Sequence, residues 1–279
     1  ESGGWITEHK YTRKFENDIA NFVGRKYSVS VPNGTTAIYL SLLSLGIKKG
    51  DKVAVPNITM IGTINAVIWA GAEPVLVDVD ENFCMSLEKL KKVKNLKALI
   101  FVPLNGRVGE GEAIGNWCKK NNVRLIEDSA HSLGTVYEKC SAGNLGDLSI
   151  FSFTPHKIIT TGQGGMILTN SKKFFNFLND FKTFNRSGGK SDWHSGFGLN
   201  FKFTDLQASL GNSQYLRIKE NIKTKVKLYK SYKTKVSNEY FYINDFKENE
   251  TPWFFDAVCS NSQVRQKLYD YLLKNNIET

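Results

Sequence analysis

Apolar positions along this chain follow two spacings that take turns. Phe15, Ile19, Phe22 and Val23 fall at i, i+4, i+7 and i+8, the stripe of an amphipathic helix, and Gly24 stands where a left-handed residue would end it. Residues 27–31 are a short run rich in β-formers, and the turn Pro32-Asn33-Gly34 leads from it into an apolar helix over about 35–45. The unit recurs, with strands at 52–55 and 75–79 and helices at 62–70 and 87–93. Residues 98–102 and 123–127 are near-continuous apolar runs of strand length, with a helix over about 112–120 between them.

Strands that are apolar on both faces and alternate with helices are expected in a parallel sheet covered on both sides. The fold class is therefore α/β, a three-layer α/β/α sandwich with a mostly parallel sheet. After Asn170 the texture changes to a helix near 172–181, a glycine-rich loop over 187–198 and a long helical stretch from 205 to about 236. Strands at 241–243 and 253–258 and a helix over 262–274 follow. The expected division is a large domain over 1–215 and the start of a small α+β domain over 216–279, without internal repeats.

Composition changes this picture little. A chain of 279 residues, 41% hydrophobic and 23% charged, has the make-up of a folded protein and the length of about two domains. The net charge of +10 comes mainly from scattered lysine pairs such as Lys48-Lys49, Lys91-Lys92 and Lys119-Lys120. That scatter reads as a solvated surface and not as a nucleic-acid groove, and it would favour a phosphate-bearing substrate. Four widely spaced cysteines, without a Cys-x-x-Cys pair, point to a reducing cytoplasm, and no metal site is expected. Residues 1–4 are no signal peptide, and no apolar run approaches the ~18 residues of a membrane span.

Four clusters carry candidate chemistry, three of them at or just beyond the expected carboxyl end of a strand, where open α/β sheets bind ligands. Asn33-Gly34-Thr35-Thr36 opens a helix, where free N–H groups and two hydroxyls favour an anion; a capped turn is an equally good reading. Glu127-Asp128-Ser129-Ala130-His131 follows an apolar strand. An acid at that depth needs a cation such as a protonated pyridine nitrogen, although a loop-capping Asp and a hydrogen-bonded loop His are the ordinary explanations. In the segment from Phe151 to Gly165, Lys157 lies between an apolar strand and the turn Thr161-Gly162-Gln163-Gly164-Gly165. A lysine desolvated there would lose its proton readily, and its neutral amine could attack an aldehyde. With the anion turn and the acid beside it, this reading outweighs that of a surface lysine. The fourth cluster, Gly198-Leu199-Asn200 through Gln207, combines a Thr204 helix cap with Asn200 as a candidate polar contact.

Taken in order, these pieces resemble the DegT-type nucleotide-sugar aminotransferases, fold type I pyridoxal-phosphate enzymes, and among them the perosamine-synthase-like members. The match runs from Gly4-Trp5-Ile6-Thr7 to Asn276-Ile277-Glu278-Thr279. The resemblance implies that Lys157 carries pyridoxal 5'-phosphate as a Schiff base and shuttles a proton, and that Asp128 pairs with the ring nitrogen. It also implies that His131 approaches the ring hydroxyl and that Gly34, Thr35, Thr36 and Ser152 stand at phosphate-binding positions. Asn200 matches a residue that reaches the cofactor of the neighbouring subunit, which implies a homodimer with a shared active site. His156, Trp193 and His194 are candidates for contact with the sugar. Met60 stands where the family stacks an aromatic or histidine ring on the cofactor, and Ser187-Gly188 replaces a commoner His-Gly. Set against the family, the chain starts after the usual first helix and stops where relatives continue into the small domain, as a fragment would.

The activity implied is transfer of an amino group, from glutamate as donor, to the keto carbon of a nucleotide-linked deoxysugar. One alternative is a nucleotide-sugar dehydratase on the same scaffold, in which the lysine position is a histidine; Lys157 speaks against it. The other is a non-catalytic cofactor-binding remnant or a regulator that binds nucleic acid.

Overall fold

The computed structural model describes residues 6–186, 193–236 and 238–279. Helix α1 (Lys10–Val23) buries Phe15, Ile19 and Val23 and ends on Gly24 at φ 87°, the left-handed cap its sequence announces. Then come β1 (Tyr27–Val31), α2 (Gly34–Ser44), β2 (Lys52–Pro56), α3 (Ile61–Trp69), β3 (Glu73–Val77) and the single turn α4 (Leu87–Leu90). They are followed by β4 (Leu96–Phe101), α5 (Gly111–Lys120), β5 (Arg124–Asp128), β6 (Leu148–Ser152), β7 (Gly165–Thr169) and α6 (Lys172–Phe181). The chain continues with α7 (Asp205–Tyr215), α8 (Ile218–Lys235), β8 (Phe241–Ile243), β9 (Ala257–Cys259) and α9 (Ser262–Lys274).

Among the described residues, seven strands form one sheet in the order β1-β7-β6-β5-β4-β2-β3. The pairings of β2 with β3 and β4, of β4 with β5 and of β5 with β6 are parallel, so the sheet is mostly parallel as expected. The exception is β7, which sequence reasoning absorbed into the glycine turn and which runs antiparallel to both β1 and β6. It follows β6 after a connection without a helix, and a reversal of direction needs no crossover. The two reversals cancel. β1 therefore ends at the same edge as β4, β5 and β6, and Val31, Gly165 and Ser152 lie in one row across the three strands.

Helix α2 lies over the middle of the sheet and is buried almost all round, from Thr36 to Leu42, which explains why it carries no polar stripe. One apolar cluster fills the α2 and α3 side of the sheet, around Leu40, Val55, Ile100 and Ile126; a second, with Leu99, Phe101, Leu125 and Tyr137, fills the α5 side. A third joins α1 to β6 and β7 through Phe15, Phe151, Phe153 and Met166. Each such fully buried side chain contributes about 1.5–3 kcal/mol.

The long helical stretch expected over 205–236 is two helices, broken at Leu216 and Arg217 without glycine or proline. Leu216 is exposed while Ile218 is buried, so packing on both sides sets the break. The strand expected over 253–258 is confined to β9. Residues 250–255 lie against the large sheet instead, anchored by Thr251 N–H to Thr135 Oγ1 and Trp253 N–H to the Asn105 carbonyl, each at 2.9 Å. No helix among the described residues is long and apolar enough to cross a membrane.

Candidate active site

The carboxyl ends of β1, β2, β4, β5 and β6 share one edge of the sheet, and the loops that leave them bring the candidate residues together. At the start of α2, Asn33 caps the helix by accepting from the Thr36 N–H at 2.8 Å. The N–H groups of Gly34 and Thr35, in the first helical turn, have no acceptor within the helix. A Cβ on Gly34 would lie 3.2 Å from Ser152 Cβ, so the anion turn and the end of β6 touch. A Cβ on Gly165 would collide with the Asn33 carbonyl at 2.4 Å, which is why only glycine fits in the strand between them. The start of α3 closes on the same place. A Cβ on Gly62 would lie 2.6 Å from Thr35 Oγ1 and 3.0 Å from Met60 Sδ, and Met60, half exposed, receives the Gly62 N–H on its sulfur.

Asp128, the last residue of β5, is 5% exposed. It accepts from Thr63 Oγ1 at 2.9 Å and from the Ala130 N–H at 3.3 Å. Burial pushes its carboxyl above the usual aspartate range, against those two hydrogen bonds and the positive charge of Lys157. Lys157 lies in the loop between β6 and β7, whose turns are closed by the Lys157 N–H to Thr154 carbonyl bond and by Thr161 N–H to the Phe153 carbonyl. Its Nζ sits 3.5 Å from the centre of the Trp253 ring. Burial lowers its pKa from 10.5 to about 8, with Asp128 pulling the other way. Near neutral pH that leaves roughly 300-fold more neutral amine than an ordinary lysine has.

His131 is buried and stacks on Trp253, with ring centres 3.9 Å apart. Its Nδ1 accepts from the Asn105 N–H at 3.4 Å, which assigns the remaining proton of the neutral ring to Nε2. Burial, then the charge of Lys157, holds its pKa well below 6.5, so the ring stays neutral. The site thus offers an amine of lowered pKa, a buried acid that lacks a full complement of donors, a neutral imidazole and an anion cradle.

The other candidates lie differently. His156 is exposed and contributes its carbonyl, which accepts from Trp253 Nε1 at 2.7 Å. Trp193 and His194 are exposed, and His194 Nδ1 lies 2.9 Å from the Phe184 carbonyl. Asn200 is exposed and bridges to Thr183, so within one chain the structure leaves these three apart from the Lys157 cluster. Ser187-Gly188 falls outside the described residues. Sequence reasoning missed Thr63, Asn105 and Trp253. A lone hydroxyl in the largely apolar helix Ile61–Trp69 was the one available signal for Thr63; Trp253 meets His156 across 97 positions and gave none. A separate cavity of about 440 Å³, lined in part by Arg25, Lys119 and Asn144, opens at the opposite edge of the sheet. There the Arg25 guanidinium is held by the Gly143 and Gly146 carbonyls, each at 2.8 Å, which gives it a structural role.

Comparison with known proteins places this arrangement. The sequence profile of the DegT/DnrJ/EryC1/StrS aminotransferase family matches residues 1–279. The chain is 34% identical over 283 residues to GDP-perosamine synthase of Escherichia coli O157:H7, covering 99% of this chain and 77% of that protein. It is 33% identical over 238 residues to GDP-perosamine synthase of Vibrio cholerae, covering 84% of this chain and 65% of the relative. Its fold superposes on the crystal structure of the aminotransferase TlmJ from Streptoalloteichus hindustanus with a TM-score of 0.92 and 26% identity, over 98% of this chain and 77% of that one.

Proposed function

The chain belongs to the DegT/DnrJ/EryC1/StrS aminotransferase family, and from that premise we propose that its sheet-edge cluster binds pyridoxal 5'-phosphate and transfers an amino group to the keto carbon of a nucleotide-linked deoxysugar. The observation that carries the proposal is the half-buried amine of Lys157, with a pKa of about 8, opposed to the buried carboxylate of Asp128 beside the anion turn.

The residues present fit the group. A phosphate requires several charge-assisted hydrogen bonds of about 1.5–3 kcal/mol each, and the N–H groups of Gly34 and Thr35 with the hydroxyls of Thr35, Thr36 and Ser152 supply candidates. Asp128 has the burial and the shortage of donors that a protonated ring nitrogen would relieve. His131, with its proton on Nε2, can donate to a ring hydroxyl, and Met60 can cover a ring face. The chemistry that pyridoxal phosphate supplies when bound is an electron sink and a temporary store for the amino group. Lys157 would hold the group through Nζ and, when its amine is free, would move a proton to and from the substrate carbon; Asp128 would keep the ring nitrogen protonated.

The donor in this reading is an amino acid, glutamate first among them, and the acceptor carries a nucleoside diphosphate, which the +10 net charge favours. The active unit is a homodimer in which Asn200 serves the partner's site. This is supported by the exposed apolar side chains of Met60, Ile61, Trp69, Trp193 and Phe197, and by the edge contact of Trp69 with Phe201, next to Asn200. Four cysteines that form no disulfide suit the cytoplasm.

The test is to add pyridoxal phosphate, reduce with borohydride and map the modified residue, then to supply glutamate with a panel of nucleotide keto-sugars and identify products by mass spectrometry. Label on Lys157 and an aminated sugar are expected. Label spread over surface lysines, unchanged in Lys157→Ala, would sink the proposal.

A further inference from the structure

Trp253 has no part in the chemistry assigned above, yet it meets both His131 and Lys157. Its indole meets His131 with ring centres 3.9 Å apart and the Lys157 ammonium at 3.5 Å from the ring centre. It is 9% exposed, and four polar anchors fix it. Its N–H donates to the Asn105 carbonyl at 2.9 Å, and its Nε1 to the carbonyl of His156, the residue before the lysine, at 2.7 Å. Its own carbonyl accepts from Lys225 of α8 at 3.2 Å, and two residues earlier Thr251 is tied to Thr135. A ring so restrained has one pose, and among the described residues Nζ has no hydrogen-bond partner that would compete with it for the lysine.

We propose that Trp253 is the positioning residue of the lysine: it forms the wall that keeps water from Nζ, holds the amine over its face between uses, and locks His131 in the orientation in which its Nδ1 faces Asn105. The proposal rests on the reading of Lys157 as the reactive amine. A cation over an indole is attracted to it, and Asp128 attracts the same ammonium. The pKa of Lys157 nevertheless falls to about 8, so the exclusion of water outweighs both attractions. Removing the wall should therefore raise the lysine pKa even though it also removes an attraction.

Competitive labelling with acetic anhydride, read lysine by lysine by mass spectrometry from about pH 6 to about pH 11, measures this without cofactor or turnover. In the unaltered chain Lys157 should label with a midpoint near pH 8. Trp253→Phe, which keeps an apolar aromatic wall, should leave that midpoint nearly in place. Trp253→Ala should raise it by at least about one unit, a tenfold loss of neutral amine at neutral pH. A midpoint in Trp253→Ala equal to that of the unaltered chain overturns the role of Trp253 and leaves Lys157 as the reactive amine. An ordinary lysine midpoint in the unaltered chain overturns both. Should Trp253→Ala fail to fold, indole fluorescence decides: a pH-dependent step near 8 is expected in the unaltered chain and should be absent from both Lys157→Met and Trp253→Phe. The same step persisting in Lys157→Met overturns the proposal.

Discussion

Glu127 and Asp128 are neighbours at the end of one strand, both out of water, and the sheet puts them to different uses. Glu127 points to the α5 side, where its carboxylate accepts from the Gly143 N–H at 2.7 Å, the Leu145 N–H at 2.9 Å, and Ser129 Oγ and Tyr137 Oη at 3.0 Å each. Asp128 points to the α2 and α3 side with two donors, one of them at 3.3 Å. Two lysines, one buried and one half-buried, repeat the contrast. Lys182 is fully buried and closed by Glu8 at 2.6 Å, Glu16 at 3.8 Å and the Ser30 carbonyl at 2.9 Å, whereas Lys157 has an aromatic face and a distant acid. Charges that hold the fold are saturated with partners; charges available for chemistry are left short of them.

The contrast can be tested from its strongest point downward. Lys157→Ala should lower amine transfer at least about 10⁴-fold, the upper end for loss of a general base, because the same atom also tethers the cofactor. Product formation from glutamate would measure it, and cooperative urea unfolding at no lower a midpoint would show the fold intact. Lys182→Met should act the other way, costing about 3–5 kcal/mol of stability by removing the buried cation that pairs with Glu8 and donates to the Ser30 carbonyl.

The neighbouring acids should divide likewise. Glu127→Ala leaves the buried Tyr137 hydroxyl and the N–H groups of Gly143 and Leu145 without their acceptor and should cost about 3 kcal/mol or more in urea unfolding. Asp128→Asn should leave the unfolding midpoint nearly unchanged and slow transfer by about 10²-fold. A comparable loss of stability in both variants would dissolve the distinction between them.

A pH experiment sharpens the lysine half of the contrast. Because the folded chain lowers the pKa of Lys157 from 10.5 to about 8, the folded state binds fewer protons than the unfolded one between those values. Stability therefore rises with pH through that window, and the penalty is fully present below pH 8. Lys157→Met should thus be more stable than the unaltered chain by on the order of 2 kcal/mol at neutral pH, with the gain fading toward high pH. Melting temperatures of the pair as a function of pH report it. The smallest effect should come from Thr63→Val, which removes one hydrogen bond to Asp128: a loss of about 1 kcal/mol, read as a several-fold slower transfer with little change in melting temperature.

Much of this frame could be read from residues alone, for identifiable reasons. Apolar runs bounded by glycine or a capping side chain gave α1, β1, α6, β8 and α9 closely, because burial and capping act locally there. β7 was missed because Gly165 to Thr169 continues a glycine-rich turn, and three apolar residues do not distinguish a strand from its loop. The break between α7 and α8 has no sequence mark, since burial of Ile218 sets it and not a helix breaker. At the site, strand alternation says that Glu127 and Asp128 face opposite ways. Only the positions of Thr63 and Tyr137, contributed by distant elements, say which side is closed and which is open.

The reversed strand has a bearing on how the molecule is made. β1 sits at the sheet's margin with β7 as its neighbour, 142 positions away in the pair Tyr27 and Thr169. While a ribosome releases the chain from its amino end, β1 and the anion turn behind it must wait without a ladder until that late strand emerges, and the lysine loop emerges just before it. Cradle and nucleophile then come together in one closing step, so a nascent chain interrupted before residue 169 would expose neither half of the site in working form.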